Sequence, residues 1–434
     1  MVNSKVEEYL QEICSFVKFK KAHKEIRAEI LNHIEEKTED LISKGFIEEE
    51  ASKKALIEMG QAEVIGKQLN ESHKAAPEWS ILIITVVFSL LGVLIAYFML
   101  KNGTAFYPSA FKKSSLFSAL GYIIIFTLYF FDYKKLEKHS GKLFIAATLL
   151  LLLQLLLAHT VSGRKNSIEL GISSFLGVLT FDATELSLFL YVISLSKLIR
   201  RLDLKNVKGY LYLTIMLLLP ITLYVKLNLP MPALTYFIVF IVLMFKSKVN
   251  LAYTFSTLGV CIAGVFFLLF SRHYLLERLL NFINSRNVPD KSNYISIQIN
   301  KLLYSTGLLG HGFSLSKQAL PSAESEFVLP YIIYTLGWLA GISLIVLVFV
   351  FLMRMFITAN SVKDTYGRLI IQGFMCIFAI EFIWNILMVF GLLPITGMVL
   401  PFISYGGSRL IVQMAAIGLI LSIYKCKSIS YVCN

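Results

Sequence analysis

Glu324 and Glu326 stand two residues apart in the segment LPSAESEF, Leu320 to Phe327. They close a long stretch, Ser271 to Phe327, that also carries Arg272, Arg278, Arg286, Lys291, Lys301 and Lys317 against Glu277 and Asp290. Carboxylates in such a setting can take a proton from an attacking hydroxyl, and Lys or Arg can face phosphate. Each charge taken singly has an ordinary reading as solvated surface. A second pair, Glu381 and Asn385, interrupts an apolar run. Their four-residue spacing puts both on one helix face, and charge among apolar residues in a membrane is costly unless it meets a cavity or a partner. That pair reads either as cavity lining near Ser404 or as a structural hydrogen-bond network. The third feature is LPITGMVLPFISYGGSRL, Leu393 to Leu410, a Pro/Gly-rich and almost uncharged loop between two apolar segments. A loop that apolar belongs at membrane depth, where its backbone polar groups must be buried against protein or line a cavity.

The elements that must position these residues are membrane helices. The 434 residues are 56% hydrophobic and 13% aromatic, with a mean hydropathy of +0.69, and apolar runs long enough to cross a bilayer recur along the chain. The expected fold is all-α and polytopic, with about ten transmembrane helices. The ten spans are Ser80 to Leu100, Leu116 to Phe131, Leu143 to Ala158, Thr184 to Leu198, Gly209 to Val225, Ala233 to Phe245, Ala252 to Phe270, Val328 to Met353, Leu369 to Leu392 and Arg409 to Tyr424.

Alternate connections are basic. Lys134, Lys135, Lys138 and Lys142 follow span two, Lys197, Arg200, Arg201, Lys205 and Lys208 follow span four, and Lys246 and Lys248 follow span six. Arg354, Lys363 and Arg368 follow span eight, and Lys425 and Lys427 follow span ten. Because Lys and Arg accumulate in cytoplasmic loops, the chain is expected to be a multi-pass cell-membrane protein with both termini cytoplasmic. The stretch 271–327 then becomes a large extracellular loop.

The net charge of +13 divides unevenly. Residues 1–76 hold 12 Lys and Arg against 15 Asp and Glu, leaving 29 against 13 for the rest. The basic excess therefore belongs to the membrane part, where topology and attraction to anionic membrane lipids account for it. No basic patch with interleaved aromatics points to nucleic acid. Cys14, Cys261, Cys376, Cys426 and Cys433 lack metal-ligand spacing, as do His159, His273 and His311, so neither a disulfide nor a zinc site is expected. The N-terminus has no short apolar core with a small-residue cleavage site, so the first span is expected to insert the chain.

Residues 1–76 read as a separate cytoplasmic helical domain, joined to a membrane domain of residues 77–434 by a linker around Pro77. Val6, Leu10, Ile13 and Val17, then Ile26, Ile30 and Ile34, recur at helical spacing, and Gly45 interrupts the pattern before it resumes. Three or four short amphipathic helices satisfy it. The segment GFIEEEASKKALIEMGQAEVIGKQL, Gly45 to Leu69, resembles the small prefix domain found ahead of many permeases. That likeness implies a docking or regulatory module, or simply a folded cap.

LPFISYGGSRL, Leu400 to Leu410, with the preceding GLLPITG and with Asn385, resembles the C-terminal signature of the SEDS family (FtsW, RodA, SpoVE). The likeness continues in YISIQINKLLYSTGLLGHG, Tyr294 to Gly312, with Gln298 and a G-x-x-G-x-G turn, and in LPSAESEF, which resembles the family's LPEAHTDF. GRKNSIELG and ATELSLFLYVISLSK, within Gly163 to Lys197, are a weaker match to the family's G-x-R-x-W-I and PSEL-x-K segments.

The resemblance implies a peptidoglycan glycosyltransferase that polymerises lipid II outside the cytoplasmic membrane, in cell division or cell-shape control, beside a class B penicillin-binding protein. It implies Glu326 as the catalytic carboxylate. Gln298, Lys317, Glu324, Glu381, Asn385, Ser404, Gly406, Gly407, Ser408 and Arg409 are then the substrate-binding candidates. Outside the cell, activation must reside in the donor's own sugar-diphosphate bond. A carboxylate would take the acceptor proton, and cations or a bound divalent metal, magnesium or manganese, would offset charge on the departing diphosphate.

The chain departs from the family at several positions. Glu326 stands where the family has Asp, Glu324 where it has His, and Arg409 where Ser is common. Thr335 and Leu336 replace an acidic pair before Gly337, and Met231 to Leu234 reads MPAL where the family has PDLG. The extra methylene of Glu326 moves its carboxylate by about 1 Å, a displacement that can cost about a hundredfold in rate. Two other readings follow from the same residues. One is a lipid-linked precursor transporter, or flippase, for which no inverted repeat is evident. The other is a catalytically silent scaffold for a cross-linking enzyme.

Overall fold

The computed structural model describes residues 2–18, 20–72, 77–103, 109–157, 159–161, 164–174, 177–181, 183–202, 206–247, 294–313 and 320–427, with single positions at 253, 256 and 259. The seventh expected span, most of the long loop's charges and Lys317 lie outside the described residues. Packing divides the chain into two compact units. The first is residues 1–78 with 360–365 and 423–434, and the second is 79–359 with 366–422.

In the first unit, α1 (Val2–Phe16), α2 (His23–Ser43), α3 (Glu48–Met59) and α4 (Ala62–Ser72) are short helices. The residues at helical spacing are the ones that pack inward: Val6, Leu10, Ile13, Val17, Ile26, Ile30 and Ile34 are all buried. Gly45 and Gly60 turn the chain between α2 and α3 and after α3, both in the left-handed region where a Cβ would be strained. Burial holds the thiol of Cys14 above its ordinary range.

The second unit is built from apolar helices. These are α5 (Trp79–Lys101), α6 (Ala110–Phe130), the short α7 (Lys134–Lys138), α8 (Ser140–Leu157), α9 (Ala183–Arg201), α10 (Val207–Lys226) and α11 (Pro230–Lys246). Then come α12 (Tyr294–Ser305), α13 (Val328–Leu336), α14 (Trp338–Ser361), α15 (Thr365–Val389) and α16 (Gly407–Lys425). Among the described residues seven of these, α5, α6, α8, α10, α14, α15 and α16, are long and apolar enough to cross a membrane. α9 and α11 accompany them as a more polar and a shorter helix. The connection from α8 to α9 holds a small antiparallel sheet in the order β1 (His159–Val161), β2 (Arg164–Ser174), β3 (Gly177–Phe181).

The expected span Val328 to Met353 is broken. Gly337 adopts φ 93° and separates α13 from α14. The groups freed by the break are satisfied by the glycine turn that follows α12. His311 and Gly312 donate their N–H groups to the carbonyls of Tyr334 and Thr335, at 2.9 Å each, and Trp338 N–H meets Gly307 O at 3.2 Å. A Cβ on Gly337 would collide with the Leu308 carbonyl. Non-helical backbone at this depth is tolerated because protein supplies its partners.

Helix α15 is deeply enclosed. Phe374, Phe378, Glu381, Phe382, Asn385 and Met388 are buried along it. Phe378 and Phe382 join Phe88 of α5, Phe351 of α14 and Phe402 in an aromatic cluster with ring centroids 5.2–6.4 Å apart. Small residues allow close approach elsewhere: a Cβ on Gly373 would come within 2.6 Å of Val192 on α9, and one on Gly121 within 2.7 Å of Met414 on α16. Helix packing of this kind relies on such contacts because lipid competes away much of the hydrophobic gain.

Candidate functional site

The apolar loop between α15 and α16 folds back into the bundle. Gly92 of α5 receives it so closely that a Cβ would strike the carbonyl of Ile403. Phe402 sits at φ 63°, a conformation that costs a non-glycine residue about 1–3 kcal/mol. Its ring is held in the aromatic cluster, and its N–H donates to Gln413 Oε1 at 3.0 Å. Ser404 closes the turn, its Oγ accepting from Leu400 N–H at 3.0 Å. The turn is therefore fixed by side chains from α5, α15 and α16.

One residue of α15 ties this loop to the segment carrying the acidic pair. The side-chain amide of Asn385 donates to the carbonyl of Glu326 at 3.0 Å and to that of Met398 at 2.7 Å. Tyr405 N–H adds a second link, to Glu324 O at 2.8 Å. Two loops far apart in sequence are thus pinned at one place, and a cavity of about 360 Å³ opens beside them.

Glu326, Glu381, Gly406, Gly407, Ser408 and Arg409 all line that cavity. Arg409 Nε meets Glu185 Oε1 of α9 at 3.0 Å. Gln413 Nε2 donates to Glu381 Oε2 at 3.3 Å, and Glu381 also lies within electrostatic reach of Glu185 and Arg409. The remaining candidates stand elsewhere. Asn385 is fully buried and acts on the backbone of the rim. Glu324 is buried, with its carbonyl serving Tyr405. Ser404 borders a smaller hollow between α5, α6 and the loop. Gln298 sits half-buried on α12, outside the lining.

Most of the lining had no place among the substrate candidates, including Lys113 and Phe117 of α6, and Glu185. Lys113 had a signal in the sequence. A lysine pair, Lys112 and Lys113, opens a span at the end opposite the basic loops, where cations are not called for by topology. Among the described residues no three His, Cys, Asp or Glu side chains converge as a metal-ligand set.

The fold and the cavity define a polytopic helical membrane protein with a polar chamber enclosed by its spans. The Cell cycle protein family of FtsW, RodA and SpoVE matches residues 76–429, and the chain belongs to that family. A probable peptidoglycan glycosyltransferase FtsW of Trichlorobacter lovleyi is 28% identical over 353 residues, covering 79% of this chain and 92% of the relative. Stage V sporulation protein E of Bacillus subtilis is 32% identical over 189 residues, 43% of this chain and 51% of the relative. Among solved structures, a chain of a peptidoglycan synthase complex that coordinates polymerization and crosslinking superposes with a TM-score of 0.67 at 21% identity, covering 81% of this chain and 99% of that one. The rod shape determining protein RodA of Thermus thermophilus gives 0.59 at 22% identity, covering 81% and 98%.

Proposed function

We propose that the chain is a peptidoglycan glycosyltransferase that joins lipid II units at the outer face of the cell membrane, with Glu326 as its general base. The observation that carries the reading is that Glu326 and Tyr405 to Arg409 line one chamber. Family membership supports the substrate class.

In the reaction the acceptor sugar hydroxyl attacks the donor's anomeric carbon. Glu326 takes the hydroxyl proton as the new carbon–oxygen bond forms, and the bond from the anomeric carbon to the diphosphate breaks, releasing a polyprenyl diphosphate. A base at hydrogen-bond reach contributes about 10²–10⁴-fold to such a step. Asn385 fixes where the carboxylate stands by anchoring the Glu326 main chain. Charge developing on the departing diphosphate falls to cations of the chamber.

In this reading both termini are cytoplasmic and a class B penicillin-binding protein cross-links the product. The test is polymerisation of purified lipid II by the full chain, with and without that partner and a divalent cation. The wild type makes glycan strands and Glu326→Ala does not. Equal polymer from both removes the enzyme assignment, and lipid II crossing sealed vesicles without polymer replaces it with transport.

A further inference from the structure

We propose that Arg409 seats the diphosphate of a polyprenyl-linked substrate and that Glu185 is a positioning residue that aims its guanidinium. The substrate named here rests on the glycosyltransferase reading; the geometry does not. Arg409 lies in the first turn of α16, and its Nε–Oε1 contact with Glu185 is 3.0 Å. The two partners are unequally covered: the Glu185 side chain is 9% exposed and that of Arg409 is 27% exposed. Both side chains line the chamber, and Arg409 is the more exposed of the two.

The surroundings fit a diphosphate. Lys113 of α6 lines the same chamber and adds a compact point charge to the planar fork of Arg409, the two complementary ways side chains hold phosphate. α16 begins at Gly407, so its first N–H groups border that space. Glu381 belongs to the same cluster, accepting from Gln413 and sharing a side-chain hydrogen bond with Glu185 within reach of Arg409, while Glu326 belongs to the base side of the reaction. Glu185 holds the guanidinium plane by a directional ion pair to one nitrogen, so loss of its charge frees Arg409 to turn without removing it. The arrangement sets the leaving group on the α6 and α16 side and the proton acceptor on the loop that precedes α13.

The experiment measures binding of undecaprenyl diphosphate and undecaprenyl monophosphate to the full-length protein in detergent micelles, alongside lipid II polymerisation and melting temperature. Arg409→Gln weakens diphosphate binding by about tenfold or more, the worth of a charge-assisted pair, with a smaller effect on the monophosphate. Arg409→Lys loses part of that, because charge survives and the fork does not. Glu185→Gln lowers kcat more than it raises KM, and Glu185→Asp restores part of the loss. A drop in melting temperature with an unchanged diphosphate to monophosphate ratio assigns the pair to stability and overturns the proposal. Competition by inorganic pyrophosphate as strong as by the lipid overturns the lipid-linked source. Polymerisation by the wild type with unaltered kinetics in Arg409→Gln refutes this inference and leaves the transferase reading standing. Arg409-dependent diphosphate binding in a protein that makes no polymer does the reverse.

Discussion

Helix α9 carries an acid at one end and a base at the other, and the two ends have opposite fates. At the C-terminal end Lys197 donates to the carbonyl of Glu137 at 2.8 Å and lies 3.8 Å from its carboxylate, while Lys134 reaches the same carboxylate at 3.4 Å. Lys134 also lies over the rings of Tyr133 and Tyr366. Lys134, Glu137 and Lys197 are largely covered, each 12–18% exposed, while Arg200 and Arg201 beyond them are exposed. At the N-terminal end Glu185 pairs with Arg409 on the wall of a chamber. Charge inside a membrane bundle is costly, whereas the Lys134, Glu137 and Lys197 cluster stands at the connection between α6 and α8. The second end lines a chamber, so on the proposed reading charge supports packing at one end and recognition at the other.

The sharpest way to break that contrast is at the chamber's carboxylate. Glu326→Ala is expected to lower the polymerisation rate by about 10²–10⁴-fold, and Glu326→Asp to preserve or raise it, measured as lipid II consumed per folded enzyme. Next is the rim. Asn385→Ala removes this donor from the carbonyls of Glu326 and Met398, at about 1–3 kcal/mol for a buried hydrogen bond lost. Both melting temperature and rate should fall. An unchanged rate would show that the amide does not set the position of Glu326.

Lys197→Met tests the closed end. With both partners 12–18% exposed, its loss should cost about 1 kcal/mol of stability, seen as a lower melting temperature, with the rate per folded molecule retained. A rate loss as large as at the chamber would erase the distinction between the two ends.

The smallest effect lies outside the bundle, at Cys14. Its thiol is held above the ordinary value by burial, so the protonated form is the one that folding favours. That contribution is intact below the unfolded thiol's pKa and is lost as pH rises through the higher folded value. At pH 8 alkylation of Cys14 should be slow in the native protein and fast after denaturation, followed by mass spectrometry.

Much of the chamber was legible because its loop advertises itself. A run as apolar as Leu393 to Leu410, broken by Pro394, Gly397, Pro401, Gly406 and Gly407, cannot be a lipid-facing connection, and its resemblance to a family signature named Arg409 and Ser408 directly. Glu326 was found in the same way, from a short motif. What pattern could not supply was pairing. Glu185 and Arg409 come from helices far apart in sequence, and neither residue's neighbours indicate the other. Asn385 and Glu381 share one helix face as their spacing requires, yet one lines the chamber and the other serves backbone, a division set by which loop each meets. The break at Gly337 was hidden because YTLGWLA is apolar on both sides. A lone glycine in such a run signals a kink only once a second backbone is known to press against it.

Asn385 carries a further implication. Its single amide group grips one carbonyl from each of two loops, and Tyr405 links the same two loops again. They therefore behave mechanically as one collar, and the spacing between the acid-bearing loop and the SYGGSR turn is set through backbone carbonyls and not through the side chains that line the chamber.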